Sequence, residues 1–108
     1  MSYGENVYDN PGKFDLETIG SIDWSDGSYC FDLTAVWRNI LTRQFVYAED
    51  SGCSCPSPFE DFTSTADLAP ITSLAEFRTH LDAQQRPSQD RAAEIVTLVE
   101  RLHELGLR

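Results

Sequence analysis

The chain has 108 residues, 41% of them apolar and 24% charged, and a net charge of −10. This is globular composition; one domain, residues 1–108, is expected at this length, and so acidic a chain is a poor partner for nucleic-acid backbones or anionic lipid. The longest apolar run falls far short of a membrane span, and with no charged-then-apolar opening stretch a signal peptide is not expected.

Residues 1–13 are polar, and Asn10-Pro11-Gly12 is a chain-breaking signal, so this stretch reads as a loosely ordered arm. From Phe14 the pattern alternates. Leu16, Thr18, Gly20, Ile22 and Trp24 share one phase, while Asp15, Glu17, Ile19, Ser21 and Asp23 share the other. After Ser25-Asp26-Gly27-Ser28 the alternation resumes, with Tyr29, Phe31, Leu33, Ala35 and Trp37 against Cys30, Asp32, Thr34, Val36 and Arg38. Two such runs about an Asp-Gly turn signal a hairpin. A four-residue loop pairs Trp24 with Tyr29, Ile22 with Phe31, Gly20 with Leu33 and Leu16 with Trp37, giving one aromatic face and setting Asp15 opposite Arg38. Residues 43–50 form a third strand, completing a three-stranded antiparallel meander over 14–50.

Residues 51–62 begin with Ser-Gly-Cys-Ser-Cys-Pro-Ser-Pro, which cannot be regular structure, and Phe59 and Phe62 are expected to pin this loop to the core. One helical turn is expected over 64–69. Ser73 with Glu76 is a capping box, opening a helix to about residue 85 with Leu74, Phe77 and Leu81 as its buried stripe. A longer helix follows from about residue 89 to 105, carrying Ile95, Leu98, Val99, Leu102 and Leu105 at helical spacing, with Gly106 closing it. The order predicts an α+β fold: a three-stranded meander, an irregular Cys/Pro loop, and a helical part over 73–106 packed on one sheet face.

Three cysteines with one Cys-x-Cys spacing make a poor disulfide framework, which favours a reducing compartment. A metal reading uses Cys30, Cys53 and Cys55, with a fourth ligand from His80, His103 or a carboxylate. Zinc is the natural ion for thiolates, although its usual spacing is Cys-x₂₋₄-Cys. The plainer reading makes the cysteines small buried apolar groups, so no cofactor is expected. A thiol enzyme is the weakest reading, because acids surround the pair and no Lys or Arg lies between Arg43 and Arg78. His80 and His103 read as structural. Asp23-Trp24-Ser25-Asp26-Gly27 resembles the start of a calcium loop, but Gly comes one position early and Thr34 replaces the bidentate Glu, so it reads as a hairpin turn.

The acidity is local. Residues 1–67 hold 12 acids and 3 bases, against 6 and 5 in residues 68–108. The alternation sets Asp15, Glu17, Asp23 and Asp32 on one outer sheet face, and Glu60 and Asp61 follow in the loop. These six carboxylates are the candidate partner-binding residues, suited to a basic protein surface. Surplus apolar width on the last helix, through Val96, points to a homodimer contact there.

The segments 22–34 (IDWSDGSYCFDLT) and 50–62 (DSGCSCPSPFEDF) resemble a family of small actinobacteriophage proteins, including those of mycobacteriophages, over roughly residues 4–70. No activity is established for that family. The resemblance implies an accessory protein in the cytoplasm of an infected bacterial host. Together with the residues, it leads to the expected function: a non-enzymatic protein that binds a host or phage protein through the acidic sheet face or the 51–62 loop.

Overall fold

The computed structural model describes residues 6–8, 10–25, 30–53, 59, 62, 64–84 and 91–107, without the side chains of Cys30 and Cys53. Strands β1 (Leu16–Asp23), β2 (Cys30–Asn39), β3 (Phe45–Cys53) and β4 (Ala69–Pro70) form one antiparallel sheet in the order β1-β2-β3-β4. Helices α1 (Leu74–Gln84) and α2 (Ala92–Glu104) follow, so the class is α+β. Among the described residues no helix is long and apolar enough to cross a membrane.

The sequence pattern does not predict the fourth strand, because proline cannot donate to a ladder. Its register explains the exception. Pro70 faces Val46, and the bond to β3 comes from the next residue, Ile71 N–H to the Phe45 carbonyl at 2.8 Å. The turn before it is the 3₁₀ segment Thr65–Asp67, capped by the Ser64 hydroxyl, which accepts from the Ala66 amide.

The first hairpin departs from the expected register. Leu16 pairs with Asn39, Glu17 with Arg38 and Thr18 with Trp37; then the register shifts, and Gly20 pairs with Val36 and Ile22 with Thr34. Ile19 is therefore an extra residue in β1, and it inverts the phase of everything after it. Leu16 points to one side of the sheet, and Ile19, Ile22 and Trp24 to the other. A strictly alternating strand could not supply both.

Both sides need apolar residues because both are covered. On one side the helices pack on Ile19, Ile22, Trp24, Val36 and Phe45, through Phe77 and Leu81 of α1 and Ile95, Leu98, Val99 and Leu102 of α2. On the other, Val7, Phe59 and Leu68 cover Leu33, Ala35 and Trp37. The sides are thus reversed from expectation: the aromatic phase of β2 lies under the N-terminal stretch and the loop, and the phase read as solvated lies under the helices. The stretch before β1 is also no loose arm where it is described. Val7 is fully buried and its amide donates to the Phe62 carbonyl, while Tyr8 stacks on Phe59 at 5.1 Å. Phe59 meets Trp37 edge-on at 5.7 Å, as its predicted pinning role requires.

The helices follow their sequence signals. The Ser73 hydroxyl accepts from the Glu76 amide at 3.3 Å, and Phe77 and Leu81 are buried. At the far end, Gly106 has φ 109° and donates to the His103 carbonyl, while Leu107 N–H reaches the Leu102 carbonyl. That pair of bonds is a Schellman closure, for which glycine is suited. It turns Leu107 inward to 8% exposure and leaves Leu105 at 36%.

Candidate functional site

The densest polar arrangement lies where α1 meets the sheet. Trp24 Nε1 donates to Thr34 Oγ1 at 2.9 Å, and the Thr34 hydroxyl donates onward to Glu49 Oε2 at 3.2 Å. The same oxygen receives Gln84 Nε2 at 2.6 Å and lies 3.0 Å from His80 Nε2. Thr34 and Glu49 face each other across β2 and β3, and His80 and Gln84 are one turn apart on α1, so one carboxylate oxygen of β3 gathers partners from β2 and α1. The His80 ring also packs against Tyr47 at 5.3 Å and Phe77 at 6.2 Å. An open cleft of about 140 Å³ lies beside it, lined by Tyr47, Pro70, Ser73, Phe77 and His80 among others. That is below the usual size of a small-molecule site, about 300–1,000 Å³. A carboxylate can orient an imidazole for proton transfer, but among the described residues no hydroxyl or thiol hydrogen-bonds to His80. What this arrangement does is fasten α1 to the sheet. Nothing in the sequence pattern singles out Glu49; a pairing 31 residues apart leaves no local signal.

The acids expected on one outer sheet face do not share it: Asp15 precedes β1, and the other three divide between the two sides. Glu17 lies opposite Arg38 and bonds it at 2.8 Å, in phase with Val36, whereas Asp23 lies opposite Leu33 on the other side, because the bulge at Ile19 separates them. Asp32, two positions before Thr34, returns to the Val36 phase. The acids also divide between the two ends of the sheet. Asp15 and Glu17 stand at the β2–β3 turn, beside Lys13, Arg38 and Arg43, the three bases of residues 1–67. Asp23 and Asp32 stand at the opposite end. There the register aligns Asp23, Leu33 and Asp50 in one row, with Asp32 opposite Ser51 in the next. Glu60 and Asp61 lie outside the described residues.

Two of the carboxylates at the acidic end hold the backbone. Asp23 Oδ1 accepts from the Ser25 amide at 2.9 Å, the Ser25 hydroxyl at 2.7 Å and the Asp32 amide at 3.4 Å. Burial alone would raise this carboxyl; the Ser25 hydroxyl and amide, the Asp32 amide and the Arg91 charge outweigh it and hold the group below its usual 3.8. Arg91, just ahead of α2, donates from Nε to the Asp23 carbonyl and from Nη2 to the Ser25 carbonyl. Asp50 Oδ2 accepts from the Phe59 amide at 2.8 Å. Asp23 and Ser25 thus find partners within the protein itself, while Asp26 and Gly27 of the expected turn lie outside the described residues.

Of the three cysteines, Cys30 and Cys53 are directly opposed in the β2–β3 register, and Cys55 lies outside the described residues. Among the described residues no group of three or more His, Cys, Asp or Glu side chains could hold a metal ion. His103, in the last turn of α2, is exposed.

In comparisons with known proteins, residues 5–105 match a family described as a domain of unknown function, DUF7574. No curated protein and no solved structure matches the chain.

Proposed function

The chain belongs to the DUF7574 family, a domain of unknown function, and from its geometry we propose a non-enzymatic protein-binding module whose contact surface is the acidic end of the sheet. One observation carries this reading. Asp23, Asp32 and Asp50 gather toward one end of the three long strands, with Arg91 as the neighbouring base, while Lys13, Arg38 and Arg43 stand with Asp15 and Glu17 at the other. Such a field steers and orients a basic partner more than it tightens the final complex. The neighbouring groups support a scaffold rather than chemistry. Glu49 Oε2 is occupied by Thr34, His80 and Gln84, and Asp23 and Asp50 hold main-chain amides. The partner is a basic segment of another protein, and the resemblance to actinobacteriophage proteins makes a phage or host protein the natural source.

An NMR titration of the full chain with an oligoarginine peptide tests this reading. Shifts centred on Asp23, Asp32 and Asp50 that vanish as salt is raised are expected. No shifts at low salt, or shifts centred on Ile40–Arg43, overturn it.

A further inference from the structure

We propose that Cys30 and Cys53 form a redox pair, closing as a cross-strand disulfide when the thiol pool is oxidised and reopening when it is reduced. The two are the terminal rung of the β2–β3 ladder: Cys30 is the first residue of β2, Cys53 the last of β3, and the register sets them opposite.

The phase of that rung follows from hydrogen bonds elsewhere in the sheet. Opposed pairs in an antiparallel ladder alternate between hydrogen-bonded and non-hydrogen-bonded, and a residue of a central strand bonds to one neighbouring strand at a time. Asn39 N–H donates to the Gln44 carbonyl, so the odd-numbered residues of β2 bond toward β3. Trp24 N–H donates to the Asp32 carbonyl, which turns the even-numbered residues toward β1. Ile71 N–H donates to the Phe45 carbonyl, so Phe45, opposite Arg38, bonds away from β2. All three put Cys30 and Cys53 in a non-hydrogen-bonded pair. Such pairs hold their Cα atoms about 4.5 Å apart with both Cβ atoms on one face, within the roughly 4.4–6.8 Å that a disulfide spans.

The oxidant is a low-molecular-weight disulfide such as oxidised glutathione. One protein thiolate attacks a sulfur of that disulfide, breaking its S–S bond and releasing one glutathione thiolate. The opposed thiolate then attacks the protein-bound sulfur of the mixed disulfide and releases the second. The protein loses two protons and two electrons, and one oxidised glutathione becomes two reduced. Excess thiol reverses both steps. Closure locks the start of β2 to the end of β3, where the Cys/Pro segment begins, independently of whether the acidic end binds a partner.

The test equilibrates the folded full chain in buffers of graded reduced-to-oxidised glutathione ratio, quenches with acid, alkylates, and reads intact mass and peptide linkage. A species lighter by two hydrogens and linked Cys30–Cys53 is expected, in the native sequence and in Cys55→Ser alike. Folded protein should close at a ratio at least about tenfold more reducing than the same chain in guanidinium, because the sheet already holds the two backbone positions opposite each other. Linkage mainly through Cys55, glutathione adducts without an internal bridge, metal retention that blocks closure, or equal ratios for folded and denatured chains each overturn the proposal.

Discussion

His80 on α1 lies 3.0 Å from Glu49 on β3, and that pair completes a polar chain running from Trp24 through Thr34 to the helix. The chain grades from buried to exposed, which ranks its deletions. Trp24 is 2% exposed and Thr34 1%, so Thr34→Val removes the hydroxyl that accepts from the indole N–H in a dry site and should cost about 1–3 kcal/mol. Glu49 and His80 side chains are each about one-third exposed, so water replaces much of what Glu49→Ala removes, and the loss should be about 1 kcal/mol or less. Urea denaturation of both variants checks the order; an equal or larger loss for Glu49→Ala contradicts it.

A second prediction concerns Gly20. A Cβ added there would stand 3.1 Å from Leu98 Cδ1, and Leu98 is 4% exposed within the core under α2. Leu98 must give by a few tenths of an ångström to admit that methyl. Gly20→Ala should therefore destabilise by roughly 1 kcal/mol or more, despite the usual gain from replacing glycine in a strand. Leu98→Val shortens the obstructing side chain, so in the double variant the two losses should be less than additive. Strict additivity in denaturation would mean that the two positions do not meet.

The bulge at Ile19 marks the limit of what periodicity can reveal. The helices, their capping serine, the glycine closure and the order of the three long strands are legible, because each rests on residues a few positions apart. The register of β1 is not. Residues 14–24 alternate so regularly that a single unbroken phase is the natural reading, and one extra residue reverses every later side chain. The apolar residues out of phase, Ile19, Val36 and Val46, are the available sign. They mark a sheet covered on both sides, where polarity no longer separates inner from outer. The acidic face fails with the register, since Glu17 and Asp23 lie on either side of the bulge. The Glu49–His80 contact is invisible for a different reason: it depends on how α1 crosses β3, which no local pattern encodes.

Asp23 makes stability depend on pH. Its folded-state pKa is held below 3.8, so the carboxylate contributes stability that is fully present above 3.8 and is lost as pH falls through the lower folded value. Asp23→Asn retains an oxygen acceptor for Ser25 but removes the charge that Arg91 and the amides favour. The variant should be less stable than the native chain at neutral pH, and the gap should narrow below pH 3.8. Urea midpoints measured across that range test this, and a gap that stays constant or widens in acid refutes it. Arg91→Ala removes the donors to the Asp23 and Ser25 carbonyls and, with them, the Coulombic part of the effect. In that background the cost of Asp23→Asn should be smaller.

Arg43 carries backbone strain that can be relieved. It closes the β2–β3 turn with φ 67°, its amide bonded to the Asn39 carbonyl at 2.7 Å, while Asn39 Oδ1 accepts from the amides of Leu41 and Thr42. The turn is thus tightly held, and the left-handed conformation costs a non-glycine residue about 1–2 kcal/mol. Arg43→Gly removes that cost but adds freedom to the unfolded chain, leaving a net gain of about 0.5–1 kcal/mol. Arg43→Asn should gain less, since asparagine only partly tolerates the conformation, and Arg43→Ala should gain nothing. Charge works against all three, because each removes a cation from a chain of net charge −10. Thermal denaturation of the three variants separates the causes. A ranking of Gly above Asn above Ala identifies the backbone, whereas equal shifts in all three would assign the effect to the lost guanidinium and refute the strain at this turn.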